Sequence, residues 1–379
     1  MKKALFLTPM DPTGIGGGSF ATHAYLRSIS EILEGNVDIL LADCWSNDMD
    51  KNINVDKIFK ACKRSAFNTV MSVLTGEIQR FSEPAKIIIK ENHSRYSFFV
   101  SNGSSISGNL VEIAKRNGIK IVTIHHNYEP EYFRDNYSGL NKLLYMPHVK
   151  RLERKAYMNS ALNLFLTQQD LEKFRDVYGE CEGRCEVIGV YEYGDYVNQN
   201  VIENKKECIT FVITGSLCTL QGIDGIMYFF STLYPSLPVN SNVIIAGRNP
   251  SPEIIDECAK HPNVELIANP VDMTKVISSG DVYICPTRHG GGLKLRVMDG
   301  LKLGLPVITH SCSARGYDKM FETGCVKSFD TKDEFEQAVN EICNNASGYK
   351  KEDIIEKYKS LFSYESGKQR MKSALRDLI

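Results

Sequence analysis

The feature that most constrains this 379-residue chain is a regular alternation of apolar, strand-like runs with segments of helical period. In the first half the strand-like runs are KALFLT, VDILLA, YSFFVS, IKIVTIHH and ALNLFLT, with helical segments such as SFATHAYLRSISEIL between them. Continuous Val, Ile, Leu and Phe runs separated by helices are typical of parallel strands covered on both faces. The pattern therefore predicts an α/β protein.

The alternation pauses once, at about 178–207, where the chain is rich in Gly, Asn and charge. We interpret this stretch as a last short strand followed by a linker. The alternation then resumes with the runs CITFVITGS, SNVIIAGRNP, NVELIA, DVYICP, LPVITHS and GCVKSF. Two such arrays predict two doubly wound, Rossmann-like domains that face each other across a cleft. We expect domains at 1–190 and 208–350, a linker at 191–207, and C-terminal helices at 351–379 that cross back over the hinge.

Composition excludes several classes of protein. The chain is 42% hydrophobic and 24% charged, as in ordinary globular proteins. Its formal net charge is −1, so no global field attracts nucleic acid and any anion site must be local. We expect no nucleic-acid partner.

Cysteine usage and the first residues favour a cytoplasmic protein. The eleven cysteines are scattered, and CEGRC (Cys181, Cys185) has no second half to complete a metal site. Many of the others lie in apolar runs, as expected of buried thiols in a reducing compartment. The start MKKALFLT predicts a first strand rather than a signal peptide, and no run reaches the roughly 18 apolar residues of a membrane span.

The first glycine-rich loop, TGIGGGS, lies between a strand ending at Thr8 and a helix beginning near Ser19. Gly16, Gly17 and Gly18 would let the backbone approach a ligand, and the start of the helix would present N–H groups to an anion. The dinucleotide fingerprint fits only loosely, and a plain N-cap role for Ser19 is the alternative.

Two histidines end the run IVTIHH. His125 or His126 could transfer a proton or bind a sugar hydroxyl, with Glu129 and Glu131 following. In an extended chain the two rings point to opposite sides, so only one can face a cleft. The alternative is a histidine that satisfies local backbone groups.

The second half repeats the strand–glycine–helix pattern. FVITGSLCTLQG places Gly215 and Ser216 at a strand end, and VIIAGRNP places Arg248 at another. An exposed loop cation is the alternative for Arg248.

The stretch with the most candidate ligand-binding residues is RHGGGLKLRVMDG. His289 and the glycines Gly290, Gly291 and Gly292 follow the strand DVYIC, and Lys294, Arg296 and Asp299 come next, at the start of a helix. Helix N–H groups with Lys and Arg can neutralise a diphosphate. A carboxylate placed deeper can accept the two hydroxyl groups of a ribose. Solvated charge for Lys294 and a local cap for Asp299 are the alternatives.

These residues together resemble GT-B glycosyltransferases of family four (glycosyl transferases group 1). DVYICPTRHGGGLKLRVMDGLKLGLPVITHSCSARGYD is similar to the family's donor site, and GIGGGSFATHAYL, HHNYE, TGSL and AGRNP occur in the family's order. The resemblance covers most of the chain and is strongest at about 209–318. It implies a first domain that binds the acceptor and a second that binds a nucleotide-sugar donor.

The chain also departs from the family pattern. The second acid of the E-x7-E pattern falls on Asp299, and the first falls on Gly291, which has no side chain. In GSLCTLQG, Ser216 and Gln221 stand where the family tends to carry Arg and Lys. We infer that Lys294 and Arg296 supply the positive charge missing from that loop.

The resemblance implies transfer of a hexosyl group from a nucleotide-diphosphate sugar to an acceptor hydroxyl, with retention and without a metal or other cofactor. Catalytic roles fall to His125, His126, Lys294 and Arg296, and acceptor contacts to Ser19 and Glu129. The glycine loops, Ser216, Arg248, His289 and Asp299 would bind the donor. A sugar epimerase or phosphorylase of the same fold, or a catalytically silent sugar-binding partner, are the alternatives. Asp48 and Asp50 in NDMD have the D-x-D form of metal-dependent transferases, which we interpret as incidental.

The acceptor is less constrained. It could be a glycan or a lipid-linked or protein-linked group in bacterial cell-surface polysaccharide or glycoconjugate synthesis. DKIFKACKRSAFNTVMSVL has Ile58, Phe59, Phe67, Val70 and Leu74 at helical spacing, with Lys57, Lys60, Lys63 and Arg64 nearby. Such a segment could bring a cytoplasmic enzyme to the inner face of an anionic membrane. Ordinary solvated helix faces are the alternative.

Overall fold

The computed structural model describes residues 2–14, 16–41, 53–63, 65–76, 78–136, 139–193, 208–345 and 348–379. The chain divides into two compact units. The first comprises Met1–Asp195 with Phe362–Ile379, and the second comprises Tyr196–Leu361. The predicted linker lies outside the described residues after Tyr193, as do Asp48, Asp50 and Arg64.

The first unit is built on a seven-stranded parallel sheet in the order β3-β2-β1-β4-β5-β6-β7. Buried apolar runs form its central strands, so each strand can be covered by helices on both faces. The strands are β1 Ala4–Leu7, β2 Val37–Leu41, β3 Lys57–Lys60, β4 Phe98–Asn102, β5 Lys120–His125, β6 Leu162–Phe165 and β7 Arg184–Val187.

Helices alternate with these strands, as the periodicity predicts. They are α1 Gly17–Ile32, α2 Ala66–Thr75, α3 Gln79–Asn92, α4 Ser104–Arg116, α5 Glu129–Asn136, α6 Gly139–Asn159 and α7 Gln168–Tyr178, with a short 3-10 turn at His93–Arg95.

The second unit repeats the architecture with a six-stranded parallel sheet in the order β10-β9-β8-β11-β12-β13. Its strands match the six runs predicted after the linker. They are β8 Ile209–Ser216, β9 Ser241–Arg248, β10 Val264–Ala268, β11 Val282–Cys285, β12 Val307–His310 and β13 Val326–Phe329.

The helices of the second unit are α8 Leu220–Tyr228, α9 Pro252–Cys258, α10 Met273–Ser278, α11 Leu295–Lys302, α12 Ser311–Ala314, α13 Asp318–Phe321, α14 Lys332–Asn344 and α15 Lys351–Phe362. Helix α8 continues through a π-helical turn at Phe229–Leu233 and a 3-10 turn at Tyr234–Ser236. The last helix, α16 Tyr364–Leu375, belongs to the first unit, where it packs on α1. There Lys368 pairs with Glu31 at 2.8 Å, and the Arg370 guanidinium donates to the carbonyl of Ile188.

In each unit the first strand lies near the centre of the sheet. Successive strands are added on one side of it and then on the other, although all strands run parallel. The carboxyl ends of β1 and β4 therefore meet at one edge of the first sheet, and those of β8 and β11 at one edge of the second. Ligands of doubly wound proteins bind at this kind of reversal point. The predicted pair of doubly wound α/β domains is confirmed.

One segment differs from its prediction. The residues from Lys57 to Leu74 read as one helical pattern, but the structure divides them into the edge strand β3 and the helix α2. β3 is an edge strand, and of its four residues only Phe59 packs against the core, while Lys57, Ile58 and Lys60 are exposed. A strand of four residues with lysines at both ends has no alternating pattern that distinguishes it from a helical turn.

Candidate active site

Two glycine turns lie at the carboxyl ends of β8 and β11, which are neighbours in the second sheet. The first contains Gly215, the second-last residue of β8, and the second contains Gly290 and Gly292, which follow β11. The φ angles of Gly290 and Gly292 are +97° and +69°, a region that residues with a side chain rarely adopt. The turn therefore requires glycine at positions 290 and 292, and the missing side chain at Gly290 leaves room for Gln221 and Lys294.

The guanidinium of Arg296 occupies the space beside Gly215. A Cβ at position 215 would lie 2.6 Å from Arg296 Cζ and 2.8 Å from each of its terminal nitrogens. Arg296 Nη1 also donates a hydrogen bond of 3.3 Å to Thr287 Oγ1. The first turn of α11 thus delivers a cation to the end of β8.

Lys294 is the N-cap residue of α11, and its ammonium group turns back over the glycine turn. Nζ donates to the carbonyl of Gly291 at 3.1 Å. A Cβ at Gly290 would lie 2.7 Å from this Nζ and 2.6 Å from the amide nitrogen of Gln221. Burial lowers the pKa of Lys294 from its ordinary value, and the positive charges of Arg296 and Arg315 lower it further. A bound anion would relieve that repulsion.

Side chains that the sequence did not single out hold these turns in place. Tyr317 donates from its hydroxyl to the carbonyl of Lys294 at 2.7 Å, and Cys312 Sγ donates to the carbonyl of Gly290. Ser313 Oγ donates to the carbonyl of Thr287 at 2.6 Å. All three lie in the stretch HSCSARGY, which begins at the last residue of β12, the next strand in the sheet.

His289 lies on the outer side of the same loop, beside a bonded pair. Arg288 donates two hydrogen bonds, of 2.9 and 2.8 Å, to Asp224 of α8, and its guanidinium covers the ring of Tyr228. This pairing lowers the pKa of Asp224. His289 Nε2 lies 3.5 Å from Asp224 and its side chain is exposed.

Three other predicted donor residues lie around this edge. Ser216 and Arg248 end the paired strands β8 and β9 and are register partners. Arg248 is exposed. Asp299 lies in α11 but on an exposed side of the helix, so the expectation of a deeply placed carboxylate is wrong. Position 299 is exposed although its neighbours Met298 and Gly300 are buried.

In the first unit, a polar cluster lies at the carboxyl ends of β1, β4 and β5. Asn102 donates from Nδ2 to the hydroxyl oxygens of Thr8 and Thr22, at 3.0 and 2.7 Å. Its Oδ1 is therefore the acceptor for His126 Nε2, at 2.6 Å. His126 carries its proton on Nε2, and the lone pair of Nδ1 can accept a hydrogen bond. Burial lowers the pKa of His126 to about 4, so the ring is neutral at pH 7.

His125 does not join this cluster, and its predicted catalytic role is not supported by its position. Its ring stacks on Phe165 at 4.8 Å and packs edge-on against Phe174, inside an aromatic core. Nε2 is bonded to Asn163 Oδ1 at 2.9 Å. Burial lowers its pKa to about 4. The alternation of side chains along β5 sends this ring toward α7 and the next ring to the polar cluster.

The first glycine loop leads into α1. Gly16 is the N-cap of α1 and makes no side-chain capping bond, and a Cβ at Gly16 would meet no atom within 4 Å. Gly17 and Gly18 form the first turn. Ser19 is also inside the helix, so the alternative in which it serves as a plain N-cap is wrong. Its hydroxyl lies against Gly14.

Glu129 begins α5, next to two other acids. Its backbone N–H donates to Glu153 Oε1 at 2.8 Å, and Tyr178 donates to the other oxygen of Glu153. Burial raises the pKa of Glu129 to about 7 and that of Glu153 well above its usual range, with the negative charge of Asp170 adding to both. Within the described residues, no group of three or more His, Cys, Asp or Glu side chains is placed to hold a metal ion.

The family comparison decides the identity of the second unit. A model of the family described as glycosyl transferases group 1 matches residues 208–345. Residues 208–345 are a glycosyl transferases group 1 domain. The predicted resemblance is confirmed, and by this domain the chain is a glycosyltransferase. The group 1 domain contains both glycine turns, Lys294 and Arg296. No curated protein sequence matches the chain significantly.

Solved structures extend the fold assignment to the whole chain. Sucrose-phosphate synthase from Thermosynechococcus elongatus is similar with a TM-score of 0.70 at 12% identity, over 100% of this chain and 99% of that one. Anabaena HepE in complex with UDP has a TM-score of 0.68 at 12% identity, over 99% and 100%. The lipopolysaccharide outer core galactosyltransferase WaaB has a TM-score of 0.69 at 12% identity, over 100% of both. The predicted GT-B fold is confirmed. Among the described helices, none is long and apolar enough to cross a membrane.

Proposed function

We propose that the enzyme transfers a hexosyl group from a nucleoside-diphosphate sugar to an acceptor hydroxyl, and that the donor diphosphate binds at the glycine turns of the group 1 domain. The observation that carries this proposal is the convergence of two cations on those turns. Arg296 lies against Gly215, and Lys294 lies beside Gly290 and Gln221. Two cations and open backbone at adjacent strand ends suit a ligand with two phosphate groups.

The same groups serve the chemical step. When the bond between the anomeric carbon and the β-phosphate oxygen breaks, the nucleoside diphosphate leaves with additional negative charge. Lys294, Arg296 and the first N–H groups of α11 would stabilise that charge without rearranging. We infer that these cations take the place of a divalent metal ion. Asp299 would bind the ribose from the exposed side of α11, and His289 would contact the donor from the outer side of the loop.

On the first unit, we infer that His126 contacts the transferred sugar or the acceptor. Its neutral ring offers the lone pair of Nδ1, and Asn102 fixes the ring's orientation. A hydroxyl group of a sugar can donate to that lone pair. Ser19 and Glu129 are the proposed acceptor contacts, at the first turn of α1 and the start of α5.

The neighbouring structures support a uridine nucleotide and a cell-surface product. Anabaena HepE has been solved with UDP and with UDP-glucose, and WaaB is a lipopolysaccharide outer core galactosyltransferase. By analogy we propose UDP-hexose as the donor, and bacterial polysaccharide or glycoconjugate synthesis as the setting. Retention of the anomeric configuration follows from the family resemblance. We place the enzyme in the cytoplasm, in reversible contact with the inner face of the membrane.

Calorimetric titration against a panel of nucleoside diphosphates, followed by turnover of the matching nucleotide sugars, tests the proposal. We expect one diphosphate to bind and its sugar to be consumed only with an acceptor, equally well in EDTA. Proton NMR of the new linkage then gives its configuration. Donor consumption without acceptor would instead indicate an epimerase, and binding without turnover a silent partner. If no nucleoside diphosphate binds, the proposal is wrong.

A further inference from the structure

An exposed apolar stripe runs along α2 of the first unit. Phe67, Val70 and Leu74 are 72%, 56% and 67% exposed. Their spacing places them within roughly 60° of arc on one face of the helix. Single exposed apolar side chains are common on protein surfaces, but three on one face of a ten-residue helix mark an interaction surface.

The sequence segment that carries this stripe is basic. Between positions 57 and 76 the sequence contains four basic residues and no acidic residue. Lys57, Lys60 and Lys63 are exposed, on β3 and in the turn before α2. Long lysine side chains can extend past an apolar surface and keep their ammonium groups in a polar layer.

A second basic segment is fixed to the end of α2. Arg151 of α6 donates from Nη2 to the carbonyl of Thr75 at 2.7 Å. Gly76, the C-cap of α2, has φ +72° and lies against the ring of His148. Lys150 and Arg154, on the same helix as Arg151, are exposed. The α2 surface therefore consists of Phe67, Val70 and Leu74 with the lysines before them and the basic residues of α6 beside them.

We propose that the α2 surface docks the enzyme on a bilayer that contains anionic phospholipids. Apolar side chains on one face of a helix can enter the boundary between headgroups and acyl chains, while neighbouring Lys and Arg bind the anionic headgroups. A water-exposed protein partner would need acidic groups to match this charge and an apolar groove to match the stripe, whereas an anionic bilayer provides both. Membrane docking itself does not depend on the proposed function. Only its biological purpose does, because a bilayer would present a lipid-linked acceptor to the enzyme.

Cosedimentation of the full chain with phospholipid vesicles tests the inference without catalysis. Wild-type protein should bind vesicles of phosphatidylcholine and phosphatidylglycerol in equal parts, and bind pure phosphatidylcholine far less. Phe67→Ser/Val70→Ser/Leu74→Ser should weaken binding at least about tenfold, as expected when three apolar side chains leave the bilayer. Lys60→Gln/Lys63→Gln should weaken it about 25-fold, because each lysine near an anionic surface contributes about a fivefold gain.

The control variants make the same types of substitution at exposed residues outside the α2 surface. Val239 and Ile255 are exposed apolar residues of the second unit, and Lys115 and Lys120 are exposed lysines of the first. Val239→Ser/Ile255→Ser and Lys115→Gln/Lys120→Gln should bind vesicles like the wild type. All variants should keep wild-type affinity for nucleoside diphosphate, so loss of vesicle binding is separable from failure of the proposed reaction.

Two results would overturn the proposal. One is vesicle binding that is equal in the α2 variants and their controls. The other is a wild-type dimer, detected by light scattering, that the α2 substitutions dissociate while vesicle binding is absent throughout, because the stripe would then bind a second copy.

Discussion

The guanidinium of Arg296 fills the space that a side chain at Gly215 would occupy, 2.6 Å from the position of its Cβ. Gly215 is the second-last residue of β8, a central strand of the second sheet, and Arg296 lies in the first turn of α11. The contact places a cation where the glycine loop after β8 has only Ser216 and Gln221.

Gly215→Ala should therefore displace Arg296 and weaken nucleoside-diphosphate binding. Only the flexible end of an arginine opposes the new methyl group, so the free energy of unfolding should change by less than about 1 kcal/mol. The dissociation constant for UDP should rise about tenfold, which corresponds to roughly 1.4 kcal/mol. Calorimetry and thermal unfolding of the same sample measure both quantities.

Gly225→Ala is the matched control, because a Cβ there would make ordinary contacts with Thr287 from 3.5 Å outward. Its UDP affinity should equal that of the wild type. Equal affinity in Gly215→Ala as well would show that Arg296 does not contribute to binding.

The proximity of Gln221 to Lys294 predicts a rescue. Lys294→Ala should weaken UDP binding roughly 10- to 100-fold, the range of a charge-assisted hydrogen bond. Adding Gln221→Lys should recover at least part of the loss, because the Gln221 amide and the Lys294 ammonium both lie beside Gly290. Gln221→Met, of similar size but uncharged, should give no recovery. Recovery with methionine would mean that the charge is irrelevant.

The lowered pKa of Lys294 predicts how UDP affinity depends on pH. Burial favours the neutral amine in the free enzyme, whereas a bound diphosphate favours the ammonium. Affinity should be greatest where Lys294 is protonated and should fall as pH rises through its lowered pKa, below the ordinary value of 10.5. Lys294→Arg should bind with little pH dependence over the alkaline range, since guanidinium stays charged. Identical profiles for wild type and Lys294→Arg would contradict the assignment.

The fold was more predictable than the contacts within the site. Buried parallel strands read as continuous apolar runs, so β8 and β11 were identifiable in ITFVITGS and VYIC. Edge strand β3 was not, because KIFK is neither a continuous apolar run nor an alternating one. Lys294 and Arg296 could be assigned to the site because they follow the glycines within a few residues of the sequence.

Contacts between distant parts of the chain were beyond the sequence. Nothing in the sequence shows that Tyr317 and Cys312 hold the turn that precedes α11, because those bonds depend on the pairing of β11 with β12. The doubled histidine posed a different problem. Alternation along β5 requires one ring to enter the core, but two identical residues do not reveal which.

The core position of His125 has its own test. Its pKa of about 4 in the folded protein lies below the ordinary 6.5, so the unfolded chain binds the extra proton between these values. His125 thus leaves the free energy of unfolding almost unchanged at pH 7 and lowers it as pH falls from 6.5 toward 4. His125→Gln keeps a donor for Asn163 and should make the loss of stability on acidification shallower, by at most about 1.4 kcal/mol per pH unit. Unfolding temperatures of both proteins across this range measure the difference. If stability depends on pH equally in both proteins, the His125 ring is exposed to water and not buried in the core.

The most direct test of the account is calorimetric titration of UDP and of uridine into wild-type enzyme and Lys294→Ala/Arg296→Ala. If the two cations hold the diphosphate, the double variant should lose at least about a hundredfold in UDP affinity, the sum of two charge-assisted bonds, and almost nothing in uridine affinity. Equal losses for UDP and uridine would contradict the assignment of Lys294 and Arg296 to the phosphate groups.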